Sequence, residues 1–182
     1  LWNDRLNLLS RNDVQNVITK HVASSMGVLL LADTVPGSRW IDVGTGAGFP
    51  GMVLKIARPE LSLDLMDSAR KRCIFLEEMR RTLELGPLPV LQLRAESMIA
   101  RGEGVGVYDV VTARAVAGLA DSLRTFGPFV RPAGRFITFK GPQWTEEFEA
   151  LAQGGILEQT GFVLEASTRV PWSVGHILCF RK

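Results

Sequence analysis

Along the chain, apolar residues switch between helical and strand spacing, and the switches divide it into elements. Val14, Val17, Ile18 and Val22 recur at helical spacing, Asn12 or Asp13 is placed to cap that helix, and Pro36-Gly37 closes the segment. The apolar run from Trp40 to Val43 predicts a buried strand over 39–43. Met52, Val53, Leu54 and Ile56 predict a helix over 50–57, which Arg58-Pro59 stops. Leu61 to Met66 alternates as a strand does and ends on Asp67-Ser68. A helix from about 69 to 85 follows, with Ile74, Phe75, Met79 and Leu83 on one face and a break at Gly86-Pro87.

The second half repeats the alternation. Strands are predicted over 90–93 and 107–112, a helix over 118–126, a turn at 131–134 and a fifth strand over 135–139. A helix over 145–152 leads to two last strands near 162–167 and 176–180, which read as a closing hairpin around Pro171-Trp172 and Gly175. Seven strands, the first five interleaved with helices, make an α/β fold: a doubly wound, mostly parallel, Rossmann-like sheet. Residues 1–36 form a helical extension and 37–182 the main domain. The chain begins at Leu1 rather than Met, so more of the extension is expected upstream.

Ligands of such sheets bind beyond the carboxyl ends of the strands. That rule selects the loops 44–49, 67–69, 95–96, 113–115 and 140–141. The first is the most distinctive: Asp42-Val-Gly44-Thr-Gly46-Ala-Gly48-Phe49-Pro-Gly51 runs from a strand into a helix. Glycines there allow a ligand close to the main chain, and a helix N-terminus faces it, so this is a nucleotide-type cofactor site. Gly46 to Gly51 also reads as G-x-G-x-x-G, which keeps a nicotinamide or flavin domain open. Against that stand the acid ahead of the first glycine, Pro50 in a spacer position, and the absence of a separate catalytic domain in the sequence.

Composition narrows the field only a little. Twenty-one Lys and Arg against 19 Asp and Glu leave a net charge of +2, which makes no electrostatic case for nucleic acid. Two cysteines, Cys73 and Cys179, form neither a disulfide framework nor a zinc site, and no metal is expected. The longest apolar run, Met26 to Ala32, falls far short of the ~20 residues of a membrane span, and no signal-peptide pattern is present. A cytoplasmic, monomeric protein is the expectation.

The order D-x-G-x-G-x-G, an acid closing the second strand and another acid after the third resembles the class I S-adenosylmethionine methyltransferases. In that family the strand-two acid, matching Asp67, takes the ribose hydroxyls; a carboxylate suits this because it only accepts. The loop matching Ala95-Glu96 flanks adenine. A helix cap for Asp67 and a solvated surface position for Glu96 are the plainer roles.

Further strings resemble the bacterial small-subunit ribosomal RNA (guanine-N7)-methyltransferase family, also called the glucose-inhibited division protein B family. They are Trp2-Asn3 with Asn7-Leu8, the Asp42 to Gly51 stretch, Asp67-Ser68, Lys71-Arg72 with Phe75-Leu76, Arg114-Ala-Val-Ala117 and Lys140-Gly141. The resemblance implies methyl transfer from S-adenosylmethionine to N7 of a guanine in 16S ribosomal RNA. It also implies cofactor contacts at Asp42, Gly44, Gly46, Gly48, Phe49, Asp67, Ser68, Ala69, Ala95, Glu96 and Arg114. One position departs: the family often reads His-x-x-Asp-Ser, and this chain has His21-Val-Ala-Ser24-Ser25.

Guanine N7 carries a lone pair and no proton, so the reaction needs no general base. Arg114 and Lys140 are therefore the candidate catalytic residues. Arg114 is expected to meet the cofactor's carboxylate or the guanine edge, with a structural ion pair as the plainer role. Lys140 is expected to meet RNA phosphate or the base. Arg70-Lys71-Arg72 and Arg80-Arg81 read as an RNA contact or a solvated face, and Trp2 and Trp172 as packing residues that could stack on bases. The remaining readings are a small-molecule methyltransferase, an NAD-dependent oxidoreductase and a nucleotide-binding module without catalysis.

Overall fold

The computed structural model describes residues 2–170 and 175–182, with all their side chains except those of Arg11 and Asn12. The turn predicted at Pro171-Trp172, and any stacking by Trp172, lie outside the described residues. Seven strands form one sheet in the order β3-β2-β1-β4-β5-β7-β6. They are β1 (Arg39–Val43), β2 (Ser62–Met66), β3 (Val90–Leu91), β4 (Tyr108–Arg114), β5 (Val130–Lys140), β6 (Val163–Arg169) and β7 (His176–Arg181). β1 to β5 run parallel, and β7 enters antiparallel between β5 and β6. The order reverses between β1 and β4, the switch point at which such sheets hold ligands.

The helices are α1 (Trp2–Leu6), α2 (Arg11–Gln15), α3 (Ala23–Met26), α4 (Gly51–Ala57), α5 (Arg70–Thr82), α6 (Ala95–Ala100), α7 (Leu119–Phe126), α8 (Trp144–Gln153) and α9 (Ile156–Thr160). Alternate residues of each strand face opposite sides, so the core has two halves. Ile41, Val111, Phe136 and Phe180 pack under α6 to α9. Trp40, Leu65, Val110 and Ile177 pack under α4, α5 and the N-terminal segment, which contributes Val28 and Ala32. Each such side chain stabilises the fold by about 1.5–3 kcal/mol. At Gly27 a Cβ would lie 2.6 Å from Ile177 Cδ1, so the segment meets β7 almost at the backbone.

Several predicted boundaries move. The N-terminal helix is not continuous: α2 is capped by Ser10, not Asn12 or Asp13, and a π-helix (Val17–Val22) separates it from α3. Asp13 instead accepts from Ser10 Oγ at 2.6 Å and Lys20 Nζ at 3.2 Å. β3 stops at Leu91, where Leu93 N turns back to Leu91 O. The turn at 131–134 lies inside β5 as an irregularity that shifts its register on β4. α9, between left-handed Gly155 and Gly161, has no counterpart in the sequence reading. Trp2 packs edge-on against Phe75 at 5.7 Å, which joins α1 to α5. No described helix is long and apolar enough to cross a membrane.

Candidate active site

The glycine loop leaves β1 and is tied to β2 before it reaches α4. Gly44 N and Thr45 N both donate to Met66 O, at 2.8 and 3.1 Å. Gly46 N donates to Asp67 Oδ2 at 3.0 Å, and Ala69 N to Asp67 Oδ1 at 2.8 Å. Asp67 is almost wholly buried, with Arg72 Nη1 at 3.4 Å. A carboxylate has about four acceptor sites; Gly46 N, Ala69 N and Arg72 Nη1 take three, and displacement of the long Arg72 contact leaves two for a diol.

Asp42 stands behind this loop. Its side chain is fully buried, and Oδ2 accepts from Gly51 N at 2.9 Å while Oδ1 accepts from Thr112 Oγ1 at 2.7 Å. It lines neither of the two cavities at the strand ends and fixes α4 to β1 and β4. Burial pushes its carboxyl up to about 6, against the opposing effect of these hydrogen bonds. The carboxylate also fills the place at the first turn of α4 that a dinucleotide's pyrophosphate would need. A Cβ at Gly51 would run into Leu65 and the Asp42 carboxylate, so only glycine lets the helix approach this closely.

A cavity of about 330 Å³ opens over the carboxyl ends of β1, β2 and β4. Gly44, Asp67, Ser68, Ala95 and Glu96 line it together with Val116 and Ala117. Gly46 and Ala69 reach it through Asp67. Gly48 and Phe49 are absent from its lining: the Phe49 ring packs on His21 at 5.0 Å between centroids, beneath the N-terminal segment. Gly44 is left-handed (φ +67°), and a Cβ there would lie 2.5 Å from Val116 Cγ1. Val116 thus packs directly on the Gly44 backbone at the cavity wall, with the buried Asp67 carboxylate beside it. These residues fit S-adenosylmethionine.

A second cavity, of about 370 Å³, lies over β4 and β5 and shares Ala115 and Ala117 with the first. Arg114, Phe139, Lys140 and His176 line it. Arg114 is thus on this side and not in the first cavity. Its Nη1 donates to Ser24 Oγ at 3.0 Å and its Nη2 to Lys20 O at 2.8 Å, and its guanidinium stands 5.1 Å over the Phe139 ring. Burial lowers its pKa, while Asp42 and Asp13 hold it up. At Ser24 a hydroxyl receives the arginine. Lys140 is not free: Nζ donates to Ala117 O and Glu147 Oε1, both at 3.0 Å, and Glu147 Oε1 also accepts from Leu119 N. It braces the loop between the cavities.

Thr112, Val116 and Ala117 escaped the sequence reading. Thr112 is 70 residues from Asp42 and carries no local signal. Val116 and Ala117 stood in a recognised string, but their small size acquires meaning only once both cavities are seen. Among the described residues no group of three or more His, Cys, Asp and Glu is placed to hold a metal.

Fold and site together define a class I S-adenosylmethionine-dependent methyltransferase. Two solved structures share the fold: a ribosomal protein L11 methylase from Lactobacillus delbrueckii subsp. bulgaricus (TM-score 0.65, 18% identity, 87% of this chain and 76% of that one) and an S-adenosylmethionine-dependent methyltransferase from Aquifex aeolicus (0.63, 17%, 95% and 98%). The GidB family model, described as rRNA small subunit methyltransferase G, matches residues 1–166, and the chain belongs to that family. Relatives named ribosomal RNA small subunit methyltransferase G include one from Symbiobacterium thermophilum, 42% identical over 90% of this chain and 68% of its own length. Another, from Alkaliphilus oremlandii, is 39% identical over 100% of this chain and 77% of its own. The chain spans about three fifths of several others, such as that of Lachnoclostridium phytofermentans at 61%.

Proposed function

We propose that the chain transfers the methyl group of S-adenosylmethionine to N7 of one guanine in 16S ribosomal RNA, in the cytoplasm and as a monomer. The observation that carries this reading is the pair of cavities that share Ala115 and Ala117. Gly44, Gly46, Asp67, Ser68, Ala69, Ala95 and Glu96 hold the donor in the first, and the acceptor base enters the second.

When bound, the cofactor supplies a methyl on a positively charged sulfur. Guanine N7 has no proton to lose, so the chain's residues orient the base and take up no proton. Arg114 and Lys140 side chains donate and never accept. Guanine presents the O6 acceptor beside N7, whereas adenine presents an amino group, so a donor-lined cavity favours guanine. Ser24 and the Lys20 carbonyl occupy one N–H on each Nη of Arg114 and hold its plane, which leaves further donors for the base edge. Lys140 is a positioning residue that keeps Ala117 in place between the cavities.

Incubation with labelled S-adenosylmethionine and unmethylated small ribosomal subunits tests the reading. Label in the RNA is expected. Label only in protein or small molecules, or none with the cofactor bound, contradicts an RNA acceptor.

A further inference from the structure

Around the amino ends of the parallel strands Arg58 and Arg101 are exposed without an acidic partner among the described residues, and four other surface cations are paired: Arg39 with Asp64 at 4.0 Å, Arg131 with Asp109 at 2.5 Å, and Arg135 and Arg181 with Glu165 at 2.6 and 3.8 Å. Around the carboxyl ends, where both cavities open, four are not. Arg70 and Lys71 follow β2 at the start of α5, Arg94 follows β3 on the rim of the first cavity, and Arg169 closes β6. All four are exposed, and none has an acidic partner among the described residues. The residues that follow Arg169, Pro171 to Val174, contain no acid.

Strand register adds a second observation. Arg169 lies opposite His176 on β7, and His176 lies opposite Lys140 on β5, so the three form one row on one face of the sheet, in which Lys140 is paired with Glu147 and Arg169 is the exposed, unpaired cation. His176 and Lys140 line the second cavity, and the row leads from it to the exposed Arg169. Arg70 and Lys71 flank the other side. Five strand spacings separate β2 from β6, about 24 Å. An exposed, unpaired cation keeps its full attraction for a polyanion, whereas a paired one has most of it cancelled.

We infer that the carboxyl-end face is the RNA-docking surface, and that it grips the backbone at two points. Arg70 and Lys71 take phosphates beside the first cavity and Arg169 takes one beyond the second. The strand crosses both mouths, and the target base turns down into the second. This rests on the reading of an RNA acceptor.

The test measures dissociation constants between 50 and 300 mM salt, for unmethylated small subunits and for the RNA extracted from them. The variants are Arg169→Ala, the double variant Arg70→Ala/Lys71→Ala, and Arg101→Ala. Arg101 is exposed and lacks an acidic partner, but it caps the far end of α6, near the amino end of β4. The first two variants should bind roughly tenfold more weakly, with salt slopes flatter by roughly 0.7–0.9 per lost phosphate contact, and keep wild-type affinity for S-adenosylmethionine. Arg101→Ala should match wild type. Wild-type affinity and slope in the first two, with the unmodified protein methylating RNA, overturns the docking surface and leaves the function standing. An equal loss in Arg101→Ala also overturns it, since the effect is then one of net charge. An unmodified chain that neither binds nor methylates RNA removes both.

Discussion

Asp67 Oδ2 accepts from Gly46 N at 3.0 Å, so the acid that closes β2 and the loop that follows β1 are one unit. The same carboxylate holds the start of α5 through Ala69 N. Its orientation is therefore fixed before any cofactor arrives, and little ordering remains to oppose binding. Asp67→Ala removes the diol acceptor and frees both N–H groups. Hydrogen bonds to a charged group contribute about 1.5–3 kcal/mol each, so calorimetry should show roughly 100-fold or greater loss of S-adenosylmethionine affinity. An affinity within threefold of wild type would place the ribose elsewhere.

Asp42 carries a pH signature. Its folded value of about 6 lies above the ordinary 3.8, so between those pH values the folded chain keeps a proton that the unfolded chain has released. Its contribution is fully present below about pH 4 and is lost as pH rises to 6, roughly 3 kcal/mol in all. Asn can accept from Gly51 N and donate to Thr112, so Asp42→Asn should fold and lose this dependence. Denaturant melts from pH 4 to 7 should show wild-type stability declining relative to the Asn variant. Parallel curves would contradict the buried charge. Asp42→Ala leaves two buried donors unpaired and should cost about 2–5 kcal/mol at pH 4, with the difference from wild type shrinking as pH rises to 6.

At Gly44 both the backbone and the space are demanding. Gly44→Ala puts a methyl into Val116 at left-handed φ, so the loop must shift where the cofactor lies. A loss of cofactor affinity larger than the loss in melting temperature is expected. The reverse order would make Gly44 a folding residue.

Arg114→Ala should lower methyl transfer by at least 100-fold with cofactor affinity nearly unchanged, since the side chain lines only the second cavity. Arg114→Lys should recover little, because an ammonium gathers its donors on one atom and does not span the positions that Nη1 and Nη2 take at Ser24 and the Lys20 carbonyl. A matching loss of cofactor affinity would move Arg114 to the donor side.

The strands were readable because each carries its own period and its own breakers, whereas their order in the sheet carries no local signal. The five loops that the strand-end rule selects do surround the two cavities. What stayed hidden depends on distance along the chain. The Asp42 to Thr112 contact spans 70 residues, and the Arg114 to Ser24 contact spans 90. Asp42 looked like a ligand residue because its position in the motif is clear, while its direction, away from the cavity, follows from the packing of α4. Phe49 likewise turns to His21, a partner set by a π-helix that no apolar period announces. Lys140 reads as a free cation until Glu147, one helix later, closes on it.

The central claim is the atom that receives the methyl group. RNA from unmethylated small subunits, treated with the protein and S-adenosylmethionine, can be reduced with borohydride and cleaved with aniline, which breaks the chain at N7-methylguanosine. One new cleavage is expected, at a guanine, and it should be absent with Arg114→Ala. Incorporated methyl without cleavage, or methyl on an adenine or on an exocyclic amine, would contradict it.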